Sequence, residues 1–378
     1  MIFIEAEQFR PNRALSFAGR LLRKLCIDGP LLIALLLLAG AGLFVLYSAG
    51  GQQADLVLRQ LLRVGVALAA LLVVAQIPPK YLRMWSPWLY LAGMIMLILV
   101  LVTGASGKGA QRWLDLGLFR FQPAEIMKLA VPMMAAWVLH GRRLPPDAKD
   151  LLKLLVIILL PTILIATQPD LGTALLICAS GILLILLAGL SGRFILLAGG
   201  LAMGALPLLW HFMRDYQKQR VLTFLNPETD PLGSGYHIIQ SKIAIGSGGV
   251  FGKGWLNGSQ AHLEFLPERS TDFIFAVLGE EFGLLGLLSM LVAYLFVVSR
   301  GLYIAVHGQD TFCRLLAGSI SLTFFIYVFV NAGMVTGLLP VVGIPLPLVS
   351  YGGTSMVTLM VGFGMLMSFQ SHRKLLPT

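Results

Sequence analysis

The chain has 378 residues, of which 57% are hydrophobic and only 12% are charged, and its formal net charge is +10. A soluble domain contains about 25% charged residues, so this composition excludes an ordinary globular protein and favours one that crosses a membrane several times. No surface of alternating basic and aromatic residues indicates nucleic-acid binding. We therefore attribute the positive charge to membrane topology and to attraction by anionic lipid.

Apolar runs of about 20 residues, the length needed to cross a bilayer, recur along the chain and predict an all-α polytopic membrane protein with about ten transmembrane helices. The predicted spans lie near residues 30–48, 61–77, 84–103, 123–140, 151–167, 173–191, 194–211, 273–298, 313–336 and 346–369. We expect residues 30–370 to form this membrane domain, between an N-terminal segment (1–29) and a short tail (371–378).

Lysine and arginine positions predict the orientation of these spans. Basic residues collect in the N-terminal segment, in the tail, and in the short loops near 80, 142, 193 and 300–314. All of these positions fall on one side of the membrane if the number of spans is even. Because short cytoplasmic loops carry an excess of basic residues, we expect this side, and both termini, to be cytoplasmic.

Two polar segments are expected on the outer face, at about 104–122 and 212–272. The second is too long for a simple connection within a helix bundle. Its glycine cluster, GSGGVFGKG (246–254), is not a nucleotide-binding loop, because a preceding strand and a Lys-Ser/Thr ending are missing. We expect these glycines to form tight turns beneath a short amphipathic helix.

Carboxylates gather where the second outer loop meets the next span, which is predicted to run uninterrupted from residue 273. Three of them recur at every fourth position: Glu264, Glu268 and Asp272. Asp272 could simply cap the helix, but the neighbouring carboxylates of Glu264 and Glu268 favour a functional role. Glu280 is expected near the same helical face as Asp272, with Glu281 pointing away, and either glutamate could instead satisfy a buried partner.

A second polar group surrounds the span near 123–140. Glu125 and Lys128 are three residues apart and can form a salt bridge. That pair is either structural, or Lys128 joins Arg112 in binding an anionic head group. Trp113 either anchors the chain at the membrane interface or stacks on a sugar. Asp170 is expected to cap the following helix, with a substrate contact as the alternative.

The segment from Asn331 to Ser355, NAGMVTGLLPVVGIPLPLVSYGGTS, places three prolines and five glycines between apolar runs. A helix this broken is tolerated at membrane depth only where protein or a water-lined cavity covers it. Such segments indicate a substrate site more often than simple packing. A re-entrant hinge that only shapes the bundle is the alternative.

These segments resemble, in order, the motifs of the SEDS family (shape, elongation, division, sporulation). The similar stretches are FQPAEIMKLA (121–130), ATQPDLGTA (166–174), LEFLPERSTDFIFAVLGEEFG (263–283) and the segment 331–355. The resemblance runs from the first span to Lys374. Residues 341–355 and 367–376 are more similar to the elongation members of the family than to the division members.

The resemblance implies a peptidoglycan glycosyltransferase that polymerises lipid II into β-1,4-linked glycan strands at the outer face of the bacterial cytoplasmic (inner) membrane, for elongation and rod shape. It also implies a class B penicillin-binding protein as transpeptidase partner, within a larger elongation complex of membrane proteins. A lipid II flippase or other transporter, and a non-catalytic activator of the penicillin-binding protein, are the competing interpretations.

The resemblance places the essential acidic residue at Asp272. Substrate-binding residues are expected at Arg112, Trp113, Glu125, Lys128, Asp170, Lys242, Glu264 and Ser350. Inversion at the anomeric carbon requires a base for the acceptor hydroxyl and positive charge for the departing diphosphate. No cofactor is firmly implied, although a magnesium or manganese ion bound to the diphosphate is compatible with the reaction. The cysteines are not spaced as metal ligands, so no protein metal site is predicted.

Overall fold

The structure is a computed structural model that describes residues 25–107, 110–115, 120–190, 215–230, 233–263, 265–266 and 268–372, with scattered positions between 192 and 213. Predictions about residues 1–24, Glu264 and the tail after 372 lie outside these residues, as do those about most of the predicted span at 194–211.

The described chain is predominantly helical. Its helices are α1 (Gly29–Ala49), α2 (Ala54–Ala75), α3 (Pro79–Thr103), α4 (Pro123–Leu139), α5 (Ala148–Thr167), α6 (Leu171–Leu187), α7 (Asp215–Leu225), α8 (Ser234–Gly248), α9 (Ser259–His262), α10 (Ile274–Val306), α11 (Thr311–Val335) and α12 (Thr354–Ser371). Among them, α1, α2, α3, α5, α10 and α11 are long and apolar enough to cross a membrane. The predicted polytopic helical fold is confirmed, whereas the total of ten spans stays a prediction.

Large apolar side chains cover the outside of the bundle. Leu37 on α1 is 66% exposed and Val102 on α3 is 77% exposed, whereas Leu35 and Leu97 on the same helices are fully buried. A soluble protein could not leave so much apolar surface in water, but hydrocarbon chains of a bilayer cover it favourably. The exposed faces therefore mark the lipid-facing side of these helices.

Asp28 caps the start of the first helix and also pairs with an arginine of another helix. The carboxylate of Asp28 accepts the main-chain amide of Leu31 at 3.0 Å and thereby caps α1. The same carboxylate accepts two bonds, at 3.0 and 2.6 Å, from the guanidinium of Arg300 on α10. A paired, two-point contact of this kind sets the relative positions of α1 and α10.

A small antiparallel sheet lies in the first outer segment, where the sequence predicted none. Its strands are β1 (Ala105–Gly107), β2 (Ala110–Asp115) and β3 (Arg120–Phe121), in that order. Strands this short carry too little alternation to be recognised from sequence. The sheet holds Arg112 and Trp113 on its middle strand.

The prediction of an uninterrupted span from residue 273 is wrong. Gly283 within α10 has φ 65° and ψ −161°, a conformation that breaks the helix and favours glycine. The main-chain amides of Lys253 and Gly254 donate to the oxygens of Glu280 and Glu281 at 3.0 and 2.9 Å. The glycine-rich loop therefore satisfies carbonyl groups that the broken helix leaves free.

The last predicted span, 346–369, begins too early. Residues 346–350 form a turn, and α12 starts only at Thr354. Pro345 and Pro347 lack the amide hydrogens that a helix needs, so the apolar character of this stretch misled the prediction. The segment between α11 and α12 instead crosses the bundle as irregular chain, in contact with α1 at Gly42, where an added Cβ would lie 2.7 Å from Cα of Val349.

The second outer loop contains the helices α7, α8 and α9. The predicted glycine turns are confirmed, because Gly249, Gly252 and Gly254 follow α8 with φ of 57°, 80° and 95°. The hydroxyl of Ser241 on α8 donates to the oxygen of Val335 at 2.8 Å, which attaches the loop to the end of α11.

Candidate active site

Asp272, the predicted catalytic carboxylate, lies partly exposed in the turn that leads into α10. The N-cap position of α10 is Phe273, one residue later, so Asp272 is not the cap that the alternative required. A Cβ added to Gly343 would lie 3.5 Å from Oδ2 of Asp272. The carboxylate therefore lies against the irregular segment between α11 and α12.

Hydrogen bonds hold the main chain before Asp272 against the same segment. The hydroxyl of Ser350 donates to the oxygen of Thr271 at 2.5 Å, and the amide of Tyr351 donates to the oxygen of Ser270 at 2.8 Å. Ser350 is buried, and its hydroxyl is engaged with the main chain. In this structure Ser350 positions the Asp272 turn, and its predicted contact with substrate stays a prediction.

Glu125 and Lys128 form the predicted salt bridge on α4. Their side chains are 6% and 10% exposed, and Nζ of Lys128 lies 2.7 Å from Oε1 of Glu125. The ammonium also lies 5.4 Å from the centre of the Tyr327 ring. Lys128 lines a cavity of about 30 Å³ together with Ser355 and Thr358. The predicted salt bridge is thus present, and its cation lines a small, mainly apolar cavity.

The cavity at Lys128 adjoins another one beside the loop that supports Asp272. A second cavity of about 20 Å³ is lined by Ser350 and Gly352, and it shares Ser355 and Leu359 with the cavity at Lys128. The first turn of α12 therefore separates the buried cation on α4 from the loop that supports Asp272. The structure thus places Lys128 and the loop that supports Asp272 at adjoining cavities, although Asp272 itself lines neither of the two.

Arg112 and Asp170 are joined at the outer end of α6. The carboxylate of Asp170 accepts the amide of Thr173 at 3.2 Å, so the predicted cap is confirmed. Asp170 also accepts from Nε2 of Gln122 at 2.8 Å and lies 3.9 Å from the guanidinium of Arg112. Arg112 donates in addition to the oxygen of Pro169. These contacts fasten the small sheet to the α5–α6 turn.

The other predicted substrate contacts are more dispersed. Trp113 is partly buried and lies opposite Ala105 in the sheet. Lys242 is exposed on α8, and a Cβ added to Gly337 would lie 2.8 Å from its Nζ atom. Lys242 therefore reaches the start of the same irregular segment that Asp272 contacts. Glu264 is outside the described residues.

Glu280 and Glu281 are completely buried and hold the glycine-rich loop and α1 to α10. The carboxylate of Glu280 accepts from Nζ of Lys253 at 2.7 Å and from the hydroxyl of Ser259 at 3.0 Å. Glu281 accepts from the hydroxyl of Ser48 on α1. Glu281 therefore satisfies a buried partner, the second of the two roles considered from sequence, whereas Glu280 pairs with side chains at the surface of the loop.

His237 on α8 is a neighbour of the site that the sequence did not single out. Its ring stacks on that of Phe273 with centroids 5.6 Å apart, next to Asp272 in the chain. Burial lowers the pKa of His237, and the nearby carboxylates of Glu268 and Asp230 oppose that shift without overcoming it. The imidazole is therefore held neutral beside the turn.

Two residues of α2 were also missed. The side chain of Gln60 donates to the oxygen of Ser350 at 3.2 Å and accepts from the amide of Gly352 at 3.4 Å. The guanidinium of Arg63 lies 4.3 Å from the centre of the Tyr351 ring. A polar pair one turn apart inside an apolar span was the available signal, since such residues in membrane helices are usually functional.

Within the residues that the structure describes, no three His, Cys, Asp or Glu side chains lie close enough to hold a metal ion. The arrangement instead combines one carboxylate at the end of a membrane helix with several cations around an irregular segment. A carboxylate in such a place can accept a proton from a hydroxyl group while the cations attract a neighbouring anion.

Comparison with known proteins identifies the family. The family model of the FtsW/RodA/SpoVE cell cycle proteins matches residues 25–375. The peptidoglycan glycosyltransferase MrdB of Escherichia coli K12 is 53% identical over 354 residues, which cover 93% of this chain and 96% of that protein.

Solved structures agree with this assignment. A chain from a structure described as "Structural coordination of polymerization and crosslinking by a peptidoglycan synthase complex" superposes with a TM-score of 0.78 at 33% identity, covering 90% of this chain and 96% of that one. The rod shape determining protein RodA of Thermus thermophilus gives a TM-score of 0.70 at 28% identity, with 92% and 98% covered. The resemblance seen in the motifs is thus confirmed, and the chain belongs to the FtsW/RodA/SpoVE family.

Proposed function

We propose that this chain is a peptidoglycan glycosyltransferase that polymerises lipid II at the outer face of the bacterial cytoplasmic membrane, for elongation and rod shape. The observation that carries the proposal is the placement of Asp272. Its carboxylate lies against the irregular segment at Gly343, at the end of a membrane helix. A carboxylate there can meet a sugar hydroxyl outside the bilayer while the lipid tail stays in it. The relative MrdB is itself named a peptidoglycan glycosyltransferase.

The proposed reaction joins two lipid-linked sugars with inversion. The 4-hydroxyl of the acceptor attacks the anomeric carbon of the donor, and the bond from that carbon to the diphosphate oxygen breaks. Asp272 accepts the hydroxyl proton, and the diphosphate leaves with the bonding electrons. Attack from the side opposite the leaving group converts the α-linkage of the donor into the β-1,4 bond of the glycan.

Lys242 is the best placed of the predicted cations to bind the departing diphosphate. Lys128 is already paired with Glu125, and Arg112 lies beside Asp170. No carboxylate among the described residues pairs with Lys242, which is exposed at the irregular segment. A cation with no internal partner can supply its full charge to an incoming anion.

We also propose that any divalent ion in the reaction arrives bound to the lipid diphosphate. Magnesium and manganese prefer oxygen ligands, and both commonly bind phosphates with help from one or two carboxylates. We expect Asp272, which lies at the irregular segment, to contribute such a carboxylate. Polymerisation measured in EDTA, and then with added magnesium or manganese, tests this role.

The central experiment compares glycan synthesis by wild-type protein and the variant Asp272→Asn, using purified lipid II and gel analysis of the strands. An amide cannot accept the proton, and loss of a general base removes about 10²–10⁴ in rate. Asp310→Asn is the matched control, because Asp310 caps α11 by accepting the amide of Cys313 at 2.8 Å. Asparagine caps as well as aspartate, so this control should polymerise normally. Normal strand synthesis by Asp272→Asn would exclude the proposed base.

A lipid transporter is the second candidate. Its support is the pair of broken membrane segments, at Gly283 and between α11 and α12, because transporters often build their sites from discontinuous helices. A transporter would move lipid II across vesicle membranes without forming glycan. Measuring translocation and polymerisation on the same preparation separates the two activities.

We propose a class B penicillin-binding protein as the partner, together with other membrane proteins of the elongation complex. The support is the similar chain found in a peptidoglycan synthase complex that couples polymerisation to crosslinking. We expect the pair to co-purify in mild detergent and the isolated chain to polymerise poorly. Full activity of the chain alone, without co-purification, would contradict this assignment.

We propose further that both termini and the basic loops are cytoplasmic, with residues 1–29 and 371–378 as cytoplasmic segments. Cysteine labelling in a cysteine-free background tests the orientation. Val250 and Leu144 are both exposed, at 52% and 43%, on the proposed outer and inner faces. An impermeant reagent should modify Val250→Cys but not Leu144→Cys in intact cells, and the reverse result would invert the topology.

A further inference from the structure

Arg63 is a charged residue inside a membrane-spanning helix. It lies nine residues after the start of α2 at Ala54, which places it about 13 Å along the helix. Its neighbours Leu62 and Val66 are 64% and 61% exposed toward lipid, whereas Val64 is buried. Arg63 itself is half-buried, so it lies on the boundary between the lipid-facing side and the side packed on α12. A charge at such a depth is energetically costly, and charged residues that occur there are usually functional.

The guanidinium of Arg63 is held on the irregular segment beside the Asp272 turn. It stacks on the ring of Tyr351 at 4.3 Å. A Cβ added to Gly353 would lie 3.3 Å from Cδ of Arg63, so the side chain also lies along the backbone there. The amide of the same Tyr351 donates to the oxygen of Ser270. Arg63 is thereby linked through one residue to the turn that carries Asp272.

The charge of Arg63 has no internal counter-charge among the residues that the structure describes. Its guanidinium stacks on Tyr351, and no carboxylate among the described residues pairs with it. Stacking covers one face of the guanidinium but leaves the N–H groups at its edge able to donate. Those donors suit the paired oxygens of a phosphate group.

We propose that Arg63 binds the diphosphate of the polyprenyl-linked substrate, which enters from the lipid side of α2. This inference rests on the proposed function, since it names a substrate contact for that site. A lipid-linked anion can reach Arg63 from the bilayer because the flanking face of α2 is exposed to lipid. Arg63 then supplies positive charge on the side of Tyr351 facing α2, in addition to Lys242 at Gly337.

The competing explanation is that Arg63 only supports Tyr351 by stacking. The two roles predict a different dependence of binding on the charge of the ligand. A phosphate-binding arginine distinguishes undecaprenyl diphosphate from undecaprenol, which has the same chain but no charge. If Arg63 only supports Tyr351, its replacement changes the affinity for both ligands equally, because it alters only the shape of the site.

The test measures binding of undecaprenyl diphosphate and of undecaprenol to the purified full chain in detergent. Arg63→Gln should weaken the diphosphate about 10- to 100-fold, the usual loss for a hydrogen-bonded charge pair, and leave undecaprenol within about twofold. Arg59→Gln is the matched control, one turn earlier on α2 and exposed, and should bind both ligands as wild type does. Unchanged diphosphate binding by Arg63→Gln, or an equal loss of both ligands, overturns the inference.

If Arg63→Gln does not fold, Arg63→Lys replaces it, because lysine keeps the charge and the long stem. It should lose about threefold to tenfold for the diphosphate alone, since an ammonium cannot form the paired contact. An unchanged affinity for the diphosphate, or an equal loss of both ligands, contradicts the inference. Wild-type protein that prefers the diphosphate but makes no glycan from lipid II counts against the proposed function, and leaves the assignment of Arg63 standing.

Discussion

The side-chain amide of Asn331 donates to the main-chain oxygen of Asp272 at 2.9 Å. The same nitrogen donates to the oxygen of Ile344 at 2.7 Å, so both of its hydrogens are used. Asn331 is completely buried near the end of α11. One side chain therefore joins the turn of the proposed base to the irregular segment, although the residues are 59 positions apart in the chain.

Asn331→Leu should reduce polymerisation strongly, because it removes both bonds and leaves two buried carbonyl groups unsatisfied. The stability cost should be about 1–3 kcal/mol. The measurements are glycan synthesis and thermal unfolding in detergent. Ser319→Ala is the control, since it removes a buried bond of 2.8 Å from α11 to Ser180, away from the site. Equal activity of the two variants would mean that Asn331 does not position Asp272.

Two variants separate a structural role of the Glu125–Lys128 pair on α4 from a role in substrate binding. Lys128→Met leaves the buried carboxylate of Glu125 without its partner and should destabilise the protein by about 3–5 kcal/mol. The double variant Glu125→Gln with Lys128→Met should recover much of that stability, because no unpaired charge remains. Its polymerisation should stay low if Lys128 also serves the substrate. Full activity of the double variant would assign the pair a purely structural role.

The buried carboxylate of Glu280 should control the order of the glycine-rich loop. Besides Lys253 and Ser259, it accepts the amide of Gln260 at 3.0 Å. Lys253→Met should cost about 1–3 kcal/mol, since Lys253 is itself 31% exposed. We expect faster hydrogen exchange in residues 248–260. Lys153→Met, at an ion pair whose lysine is 56% exposed, should leave exchange in this loop unchanged. Unaltered exchange in Lys253→Met would remove the proposed anchoring role.

Acidification should destabilise the folded protein through His237. Its pKa is lowered by burial, so the unfolded chain binds a proton at a higher pH than the folded chain does. The stabilisation is complete above the ordinary pKa of 6.5 and is lost as the pH falls through that value toward the folded pKa.

The melting temperature should therefore fall less steeply below about pH 6.5 in His237→Gln than in the wild-type protein. His307→Gln is the control, because His307 is exposed at the end of α10 and should follow the wild-type curve. Identical slopes for the wild-type and His237→Gln proteins would mean that burial does not restrain protonation of His237.

Local patterns predicted most membrane helices, because an apolar run of sufficient length has few other structures available in a bilayer. The prediction failed where tertiary contacts decide. The break at Gly283 depends on carbonyl groups satisfied by a loop about thirty residues earlier in the chain. The turn at 346–350 looked apolar enough to span, and only its prolines indicated otherwise.

The sequence singled out several residues of the candidate site but not the contacts that hold them, and it missed Gln60, Arg63 and His237. Asp272, Lys128 and Asp170 were identified by resemblance and by charge in unusual places. The bond from Gln60 to Ser350 joins residues 290 positions apart, and no local pattern encodes such a pairing. Arg63 was overlooked because the span near 61–77 was treated only as a membrane crossing.

The break at Gly283 divides α10 into an outer part and an inner part. The outer part, from Ile274 to Phe282, follows Asp272 after one residue, Phe273. The loop 248–254 is hydrogen-bonded to both parts, because it donates to the oxygens of Glu280 and Glu281 before the break and accepts from the amides of Leu284 and Leu285 after it. The inner part continues the bundle and carries Arg300, which is fixed to α1. One loop therefore holds residues on both sides of the break, so a ligand that moves this loop would displace the Asp272 turn together with the start of the inner part.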